Sequence, residues 1–499
     1  MPTASSLPPH PFHTTPGGGH GMKEDRMHEE CGVFGIYRHV DAAAHTALGL
    51  HALQHRGQEA AGIVAYDGEQ FHSHRALGLV GDNFNSEDVI RSLPGEMAVG
   101  HVRYSTTGDT VLRNVQPLFA DFKFGGLAIA HNGNLTNAYS IRKALVERGC
   151  IFQSTSDTET FIHLIAVSKG TNVVERVSDT LRQVEGAYSL IAMTKSKLIG
   201  ARDPKGVRPL VLGKTDGSHI LASETCALDI IGAEYVRDIE PGELVVIDKN
   251  GVHSFHPFVP TPTKFCIFEY IYFARPDSNV EGRNVYQIRK NIGAELARES
   301  HVEADLIVPV PDSGVPAAIG YAEQSETPFE LGIIRNHYVG RTFIEPSQQI
   351  RNLGVKLKHN ANGDYLKNKR VVLVDDSIVR GTTSVKIVDM VRSAGASEVH
   401  MRISSPPTTH PCFYGIDTPE SGELMASNYS LDEMAKIIGV DSLAFISFDG
   451  LYNAVSGENR NVQVPQYCDA CFSGEYPVRL IDREEGPTPK QLSLLRERG

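Results

Sequence analysis

The run VVLVDDSIVRGTT, residues 371 to 383, places two adjacent acids after a strand of buried type and before a small-residue turn that opens a helix. Asp375 and Asp376 stand at the carboxyl end of that strand, where open α/β sheets bind ligands, and paired carboxylates suit sugar hydroxyls or Mg²⁺. Ser377 to Thr383 then present backbone N–H groups and hydroxyls at a helix N-terminus, a cradle for phosphate. Two acids after a strand can also do no more than cap the next helix. The loop is neither a Walker loop nor a dinucleotide G-x-G-x-x-G.

Upstream, RNHYVGRTFIEPSQQIRNLGVKLKHN (335 to 360) concentrates cations and amides in a chain that is acidic overall. Arg335, Arg341, Lys356 and Lys358 suit a pyrophosphate clamp made of charge-assisted hydrogen bonds, in a loop that would exclude water on closing; the bland alternative is a solvated loop.

Among the cysteines, Cys31 precedes GVFGIY, a setting in which a buried small hydrophobe is the commoner reading. Downstream lie HRGQEAAG, GHVRYSTTG, AHNGNLTN and STSDTE. Taken singly, Arg103 and Asp157 suit surface ion pairs and Asn132-Gly133 a tight turn. Cys468-x-x-Cys471 has metal-ligand spacing but is a weak signal without partners, for which Cys266 and Cys412 are candidates. Thiolates select iron–sulfur or zinc, and spacing does not separate the two.

Together these stretches have the look of two known families. The segment 371–383 resembles the phosphoribosyl pyrophosphate (PRPP) loop of type I phosphoribosyltransferases, and the four motifs after Cys31 resemble the glutaminase domain of N-terminal-nucleophile amidotransferases. The chain from Cys31 to about residue 480 is thereby identified as a member of the amidophosphoribosyltransferases of the propeptide and iron–sulfur type.

The resemblance implies an αββα sandwich followed by a phosphoribosyltransferase domain with a parallel sheet. It implies that Cys31 becomes residue one and acts as nucleophile, its free α-amine serving as base. Arg103 and Asp157 would then grip the glutamine α-carboxylate and ammonium, and Asn132 and Gly133 would stabilise the oxyanion. Asp375, Asp376, Ser377, Arg380, Gly381, Thr382 and Thr383, with Arg341 and Lys356, would bind PRPP; Ser313 in PVPDSG would join the two acids around Mg²⁺. Cys266, Cys412, Cys468 and Cys471 would hold a [4Fe–4S] cluster of structural role, with Zn²⁺ as the alternative. The implied reaction turns PRPP, glutamine and water into phosphoribosylamine, glutamate and pyrophosphate, the first step of purine synthesis, in a homotetramer under feedback by purine nucleotides. Two rivals are weaker. A glucosamine-phosphate-forming amidotransferase needs a sugar-isomerase domain in place of the 371–383 loop, and a non-catalytic PRPP sensor has no use for Cys31, Arg103, Asn132 and Asp157 together.

The elements that must position these residues are read from the rest of the chain. Its 499 residues, 41% apolar and 22% charged, allow two or three cores. A net charge of −12 gives no general attraction to nucleic acid or anionic membranes. The N-terminal thirty residues lack an apolar stretch, so a disordered propeptide (1–30) and a cytoplasmic location are expected; the four leader histidines, His10, His13, His20 and His28, are read as a solvated tail. Seven cysteines, an odd count, argue against a disulfide framework, and Cys150 and Cys226 are read as ordinary buried or partly buried residues.

CGVFGIY, AGIVAYD, MAVGHVRYST, GLAIAHNGNL, AYSLIAMT, KLIGARD and ELVVIDK read as strands; AAAHTALGLHALQHRG and TSDTETFIHLIAVSKG read as helices. The three prolines of HPFVPTPTK (256–264) mark a domain junction, giving a glutaminase domain at 31–260. Beyond it DLIVPVP, VPAAIGYAEQ and the strand, loop, helix and strand from Lys369 form βαβ units, giving a second domain at 261–480 and a charged tail at 481–499.

Overall fold

The structure is a computed structural model that describes residues 31–104, 111–336 and 359–484. The leader, the last fifteen residues and three predicted ligands, Arg341, Lys356 and Lys358, lie outside the described residues.

Unbroken apolar runs need both faces covered, and they become the centres of two stacked sheets. Gly32–Tyr37, Ala60–Tyr66 and Met97–Arg103 are buried along their whole length and belong to a seven-stranded antiparallel sheet. Gly125–Leu135, Gly186–Thr194, Leu198–Arg202 and Leu244–Asp248 belong to a six-stranded one. Val33, Val64 and Val99 of the first sheet share a core with Ala128, Ile191 and Val245 of the second. Helix Ala42–Ala52 covers the outer face of the first, while Thr158–Val167 and Val173–Leu181 cover that of the second. The result is the four-layer αββα arrangement.

Sequence patterning missed the edge strands Phe71–Leu77 and Glu234–Asp238. Both are polar and half-exposed because an edge strand has one side in water.

Residues 256–264 carry no regular structure, and the architecture changes after them. Leu306–Pro309, Arg370–Asp375, Glu398–Ile403 and Ser442–Phe445 form a parallel sheet in that order. Its second strand feeds two cores alternately: Val372 and Val374 pack with helices Val285–Ser300, Val315–Ser325 and Phe448–Ser456, Val371 and Leu373 with Thr382–Ser393 and Leu431–Ile438. Two of those helices cross at glycine: a Cβ on Gly293 would lie 1.9 Å from the Ala317 carbonyl oxygen, and one on Gly320 the same distance from that of Lys290.

The first turn of the expected tail is not free. Ile481–Glu484 is helical, and the Asp482 carboxylate accepts from the N–H groups of Tyr139 (2.8 Å) and Ser140 (2.9 Å), capping helix Ala138–Glu147 of the sandwich.

Candidate active site

Cys31 enters the first sheet with its thiol buried and donating to the Tyr104 carbonyl at 3.5 Å. Burial pushes this thiol up to about 11, against the pull of Arg103; Asp157 and Glu59 add to the rise. Arg103 and Asp157 therefore both act electrostatically on Cys31. The Arg103 guanidinium is 3% exposed and donates to the Asn114 carbonyl at 2.6 Å. The Asn114 side chain in turn brackets Thr155, donating to its hydroxyl (2.8 Å) and accepting from its N–H (2.9 Å). Through its main chain and its side chain, Asn114 thus fixes the cation relative to the loop that carries Asp157.

Asp157 begins the helix Thr158–Val167 without capping it. Its carboxylate turns inward, accepting from the Leu135 N–H at 3.0 Å and facing His131 Nδ1 at 3.7 Å. Burial would raise this carboxyl, but His131, the Leu135 N–H and Arg103 hold it below its ordinary value. It is an anion at neutral pH, fit for an ammonium group. His131 is a functional candidate that the sequence reading left unassigned, although it stands in the AHNGN run itself.

Asn132 is wholly buried, and among the described residues neither atom of its side-chain amide has a hydrogen-bond partner. Leaving such a group unpaired costs about 1–3 kcal/mol, which suits a donor held ready for a developing charge. Gly133 follows with φ +130°, and a Cβ there would meet the Ala187 carbonyl oxygen at 2.0 Å, so only glycine fits.

In the parallel-sheet domain, Asp375 and Asp376 lie at the carboxyl end of the strand Arg370–Asp375, both nearly buried. They do not cap the next helix, whose N-cap is Gly381 in the left-handed conformation, φ +81°. Asp376 accepts from the Ser377 hydroxyl through one oxygen (2.6 Å), while its buried Oδ2 has no partner among the described residues. The Ser313 hydroxyl is likewise buried and without a partner among the described residues. A Cβ on Gly314 would come 2.4 Å from the Val374 carbonyl oxygen, so the turn bearing Ser313 rests on the end of the acid-bearing strand. Asp376 Oδ2 and the Ser313 hydroxyl are oxygen donors of the kind that suits Mg²⁺. Thr382 and Thr383 form the first turn of the helix as expected, whereas the Arg380 side chain is turned to Glu423, 2.8–2.9 Å away.

Three of the four predicted cluster cysteines are buried, and all four influence one another electrostatically. Cys266 and Cys468 are paired across a short parallel ladder, and the Tyr414 N–H donates to Cys412 Sγ at 3.3 Å. Burial pushes the Cys266 thiol up to about 12, with Arg208 opposing. Among the described residues no three His, Cys, Asp or Glu side chains close on a single-ion site.

The glutamine amidotransferase domain model matches residues 101–229, and the phosphoribosyl transferase domain model matches 282–404. An amidophosphoribosyltransferase of Rhizobium etli is 59% identical over 481 residues, covering 95% of this chain and 97% of its own. The chain belongs to the amidophosphoribosyltransferases. The Bacillus subtilis amidophosphoribosyltransferase is 48% identical over 469 residues, 94% of this chain and 98% of its own. Two solved structures superpose over nearly the whole chain at 48% identity. One is the B. subtilis PRPP amidotransferase complexed with ADP and GMP, with a TM-score of 0.86, covering 90% of this chain and 98% of its own. The other is described as the allosteric regulatory enzyme of purine biosynthesis, with a TM-score of 0.88, covering 93% and 100%. As an amidophosphoribosyltransferase this chain is a glutamine-dependent transferase of the first step of purine biosynthesis, and none of its described helices is long and apolar enough to cross a membrane.

Proposed function

We propose that Cys31 and Asp375-Asp376 mark the two half-sites of the reaction, in domains divided at the segment 256–264. The observation that carries the first half-site is the Asn114 bracket, which ties Arg103 to the Asp157 loop while both charges act on the Cys31 thiol. Glutamine sits with its α-carboxylate on Arg103 and its ammonium on Asp157. The Cys31 sulfur attacks the side-chain amide, and the oxyanion is held by Asn132 and the Gly133 N–H. Ammonia leaves, and water hydrolyses the thioester to glutamate.

The thiol proton needs an acceptor. A carbonyl is the thiol's hydrogen-bond partner and cannot take the proton, and at about 11 the thiol does not ionise unaided. The α-amine of Cys31, with a pKa of about 7.7–8.0, is the fitting base. This requires removal of residues 1–30.

In the second half-site the turn Ser377 to Thr383 cradles phosphate, with Arg341 and Lys356 as further cations, and ammonia displaces pyrophosphate from C1 of the ribose. Ser313, Asp375 and Asp376 would hold Mg²⁺, which supplies charge neutralisation for the leaving pyrophosphate. Ammonia in bulk water is mostly ammonium, so a closed passage between the sites is needed. Cys266, Cys412, Cys468 and Cys471 are assigned to a [4Fe–4S] cluster of structural role, for which iron and sulfide content after anaerobic purification is the direct assay. Zinc instead of iron in that assay would replace the cluster assignment. Purine nucleotides such as those bound by the B. subtilis relative act as feedback inhibitors of a cytoplasmic homotetramer.

Cys31→Ala tests this reading: glutamine use is lost while ammonia-dependent synthesis persists. Glutamine-dependent synthesis surviving in the variant would remove Cys31 from the mechanism.

A further inference from the structure

Four charges are buried where the sandwich meets the parallel-sheet domain. Arg56 Nη2 lies 2.6 Å from Glu269 Oε2, and Arg208 Nη1 lies 3.5 Å from Glu269 Oε1. Arg56 also pairs with Glu224. All four side chains are at most 1% exposed. Buried ion clusters gain little stability over well-packed apolar replacements, so the location of this one is its informative property.

Glu269 opens the π-helical turn Glu269–Phe273, a form frequent at functional sites. Arg289, on helix Val285–Ser300, grips that turn, donating through Nε to the Tyr270 carbonyl (2.8 Å) and through Nη2 to that of Ala274 (2.7 Å). Ile271 and Phe273 of the turn pack in one core with Val374 and Val379, which flank the acid pair and the start of the phosphate turn. Burial lowers Arg289 to about 10, and the first charge opposing that is Asp376.

At its other end the cluster meets the glutamine site through backbone. A Cβ on Gly32, next to Cys31, would face Arg56 Cβ at 3.5 Å. A Cβ on Gly57 would lie 2.7 Å from the backbone N and C of Arg103. A displacement of Arg56 is therefore passed to Arg103.

We propose that Glu269 is a positioning residue through which the phosphoribosyl site sets the glutamine site: the π-helical turn follows the acid-bearing strand, and Glu269 carries its position to Arg56, Gly57 and Arg103. This rests on the proposed assignment of the two half-sites.

The test measures glutamate release from glutamine with and without PRPP, and synthesis from ammonia, in the full-length enzyme and in Glu269→Gln and Arg289→Lys. Both variants are expected to lose PRPP stimulation by about tenfold or more, with KM for glutamine raised. Synthesis from ammonia and PRPP-free hydrolysis stay within about twofold, a split that a general structural defect does not produce. Wild-type stimulation in a folded variant overturns the proposal. So does a parallel loss of ammonia-dependent synthesis, which would confine these residues to the PRPP site. Where Glu269→Gln does not fold, Arg289→Lys alone decides. An unmutated enzyme that PRPP does not stimulate sinks the half-site assignment itself, and this inference with it.

Discussion

Gly415 rests on Gly133: a Cβ placed on Gly415 would lie 2.8 Å from the Gly133 Cα and 2.9 Å from its carbonyl carbon. The loop that carries Cys412 thus abuts the backbone assigned to the oxyanion, and the Asn134 side chain, donating to the Phe413 carbonyl at 2.9 Å, reinforces the contact. Gly415 is also in the left-handed region, at φ +109°.

Gly415→Ala must therefore shift Gly133 as well as strain its own backbone. Glutamine-dependent synthesis is expected to fall on the order of 10- to 100-fold, since a misplacement of about 1 Å costs about that much. Steady-state rates with glutamine and with ammonium chloride separate the effects, and the ammonia rate should change little.

Asn132→Ala removes the unpaired amide itself. Its kcat with glutamine should drop on the order of 10²–10³-fold with KM nearly unchanged, because the donor acts on charge that develops only after attack. A raised KM at constant kcat would instead make Asn132 a ground-state contact.

If the α-amine is the base, kcat/KM for glutamine rises about tenfold per pH unit below the amine's pKa, about 7.7–8.0, and then levels. His101 is pushed down to about 3 by burial and by Arg103, so it stays neutral and adds no limb in this range. A profile still rising toward pH 11 would show that the thiol ionises without help.

Legibility in the sequence followed from how local each signal is. Strands buried on both faces, such as Ala60–Tyr66, announce themselves as unbroken apolar runs, and the acid pair at the end of Arg370–Asp375 is a local pattern. Cys31, Arg103, Asn132 and Asp157 were picked out because each sits in a short stretch of recognisable composition. What the sequence hides is partnership at long separation. Glu269 and Arg56 are 213 positions apart, and Asp482 caps a helix some 340 residues earlier. The Gly415 contact with Gly133 involves no side chain at all, so no residue type signals it. Asp157 stands at the start of helix Thr158–Val167, yet its carboxylate is turned away from the helix to Leu135 and His131, a direction no sequence pattern signals.

Burial alone would raise Glu224, but Arg56, with His55, more than offsets this and holds the carboxyl well below its ordinary range. A depressed folded-state pKa contributes stability above the unfolded value, about 4.3, and loses it as pH falls through the folded one. Glu224→Gln, which removes one anionic partner of Arg56, should cost about 3 kcal/mol at neutral pH and lower the thermal midpoint accordingly. The gap between variant and parent should narrow as pH drops below about 4. An equal gap at about pH 7 and about pH 3 would rule out the ion pair as its source.

The measurement closest to the central claim is glutamate release from glutamine with and without PRPP and Mg²⁺, using enzyme purified without oxygen and verified to begin at Cys31. Strong stimulation by PRPP is predicted, since the half-sites are joined through buried charge and shared core. Equal rates in the two conditions would mean that the second domain does not govern the first, contradicting the account.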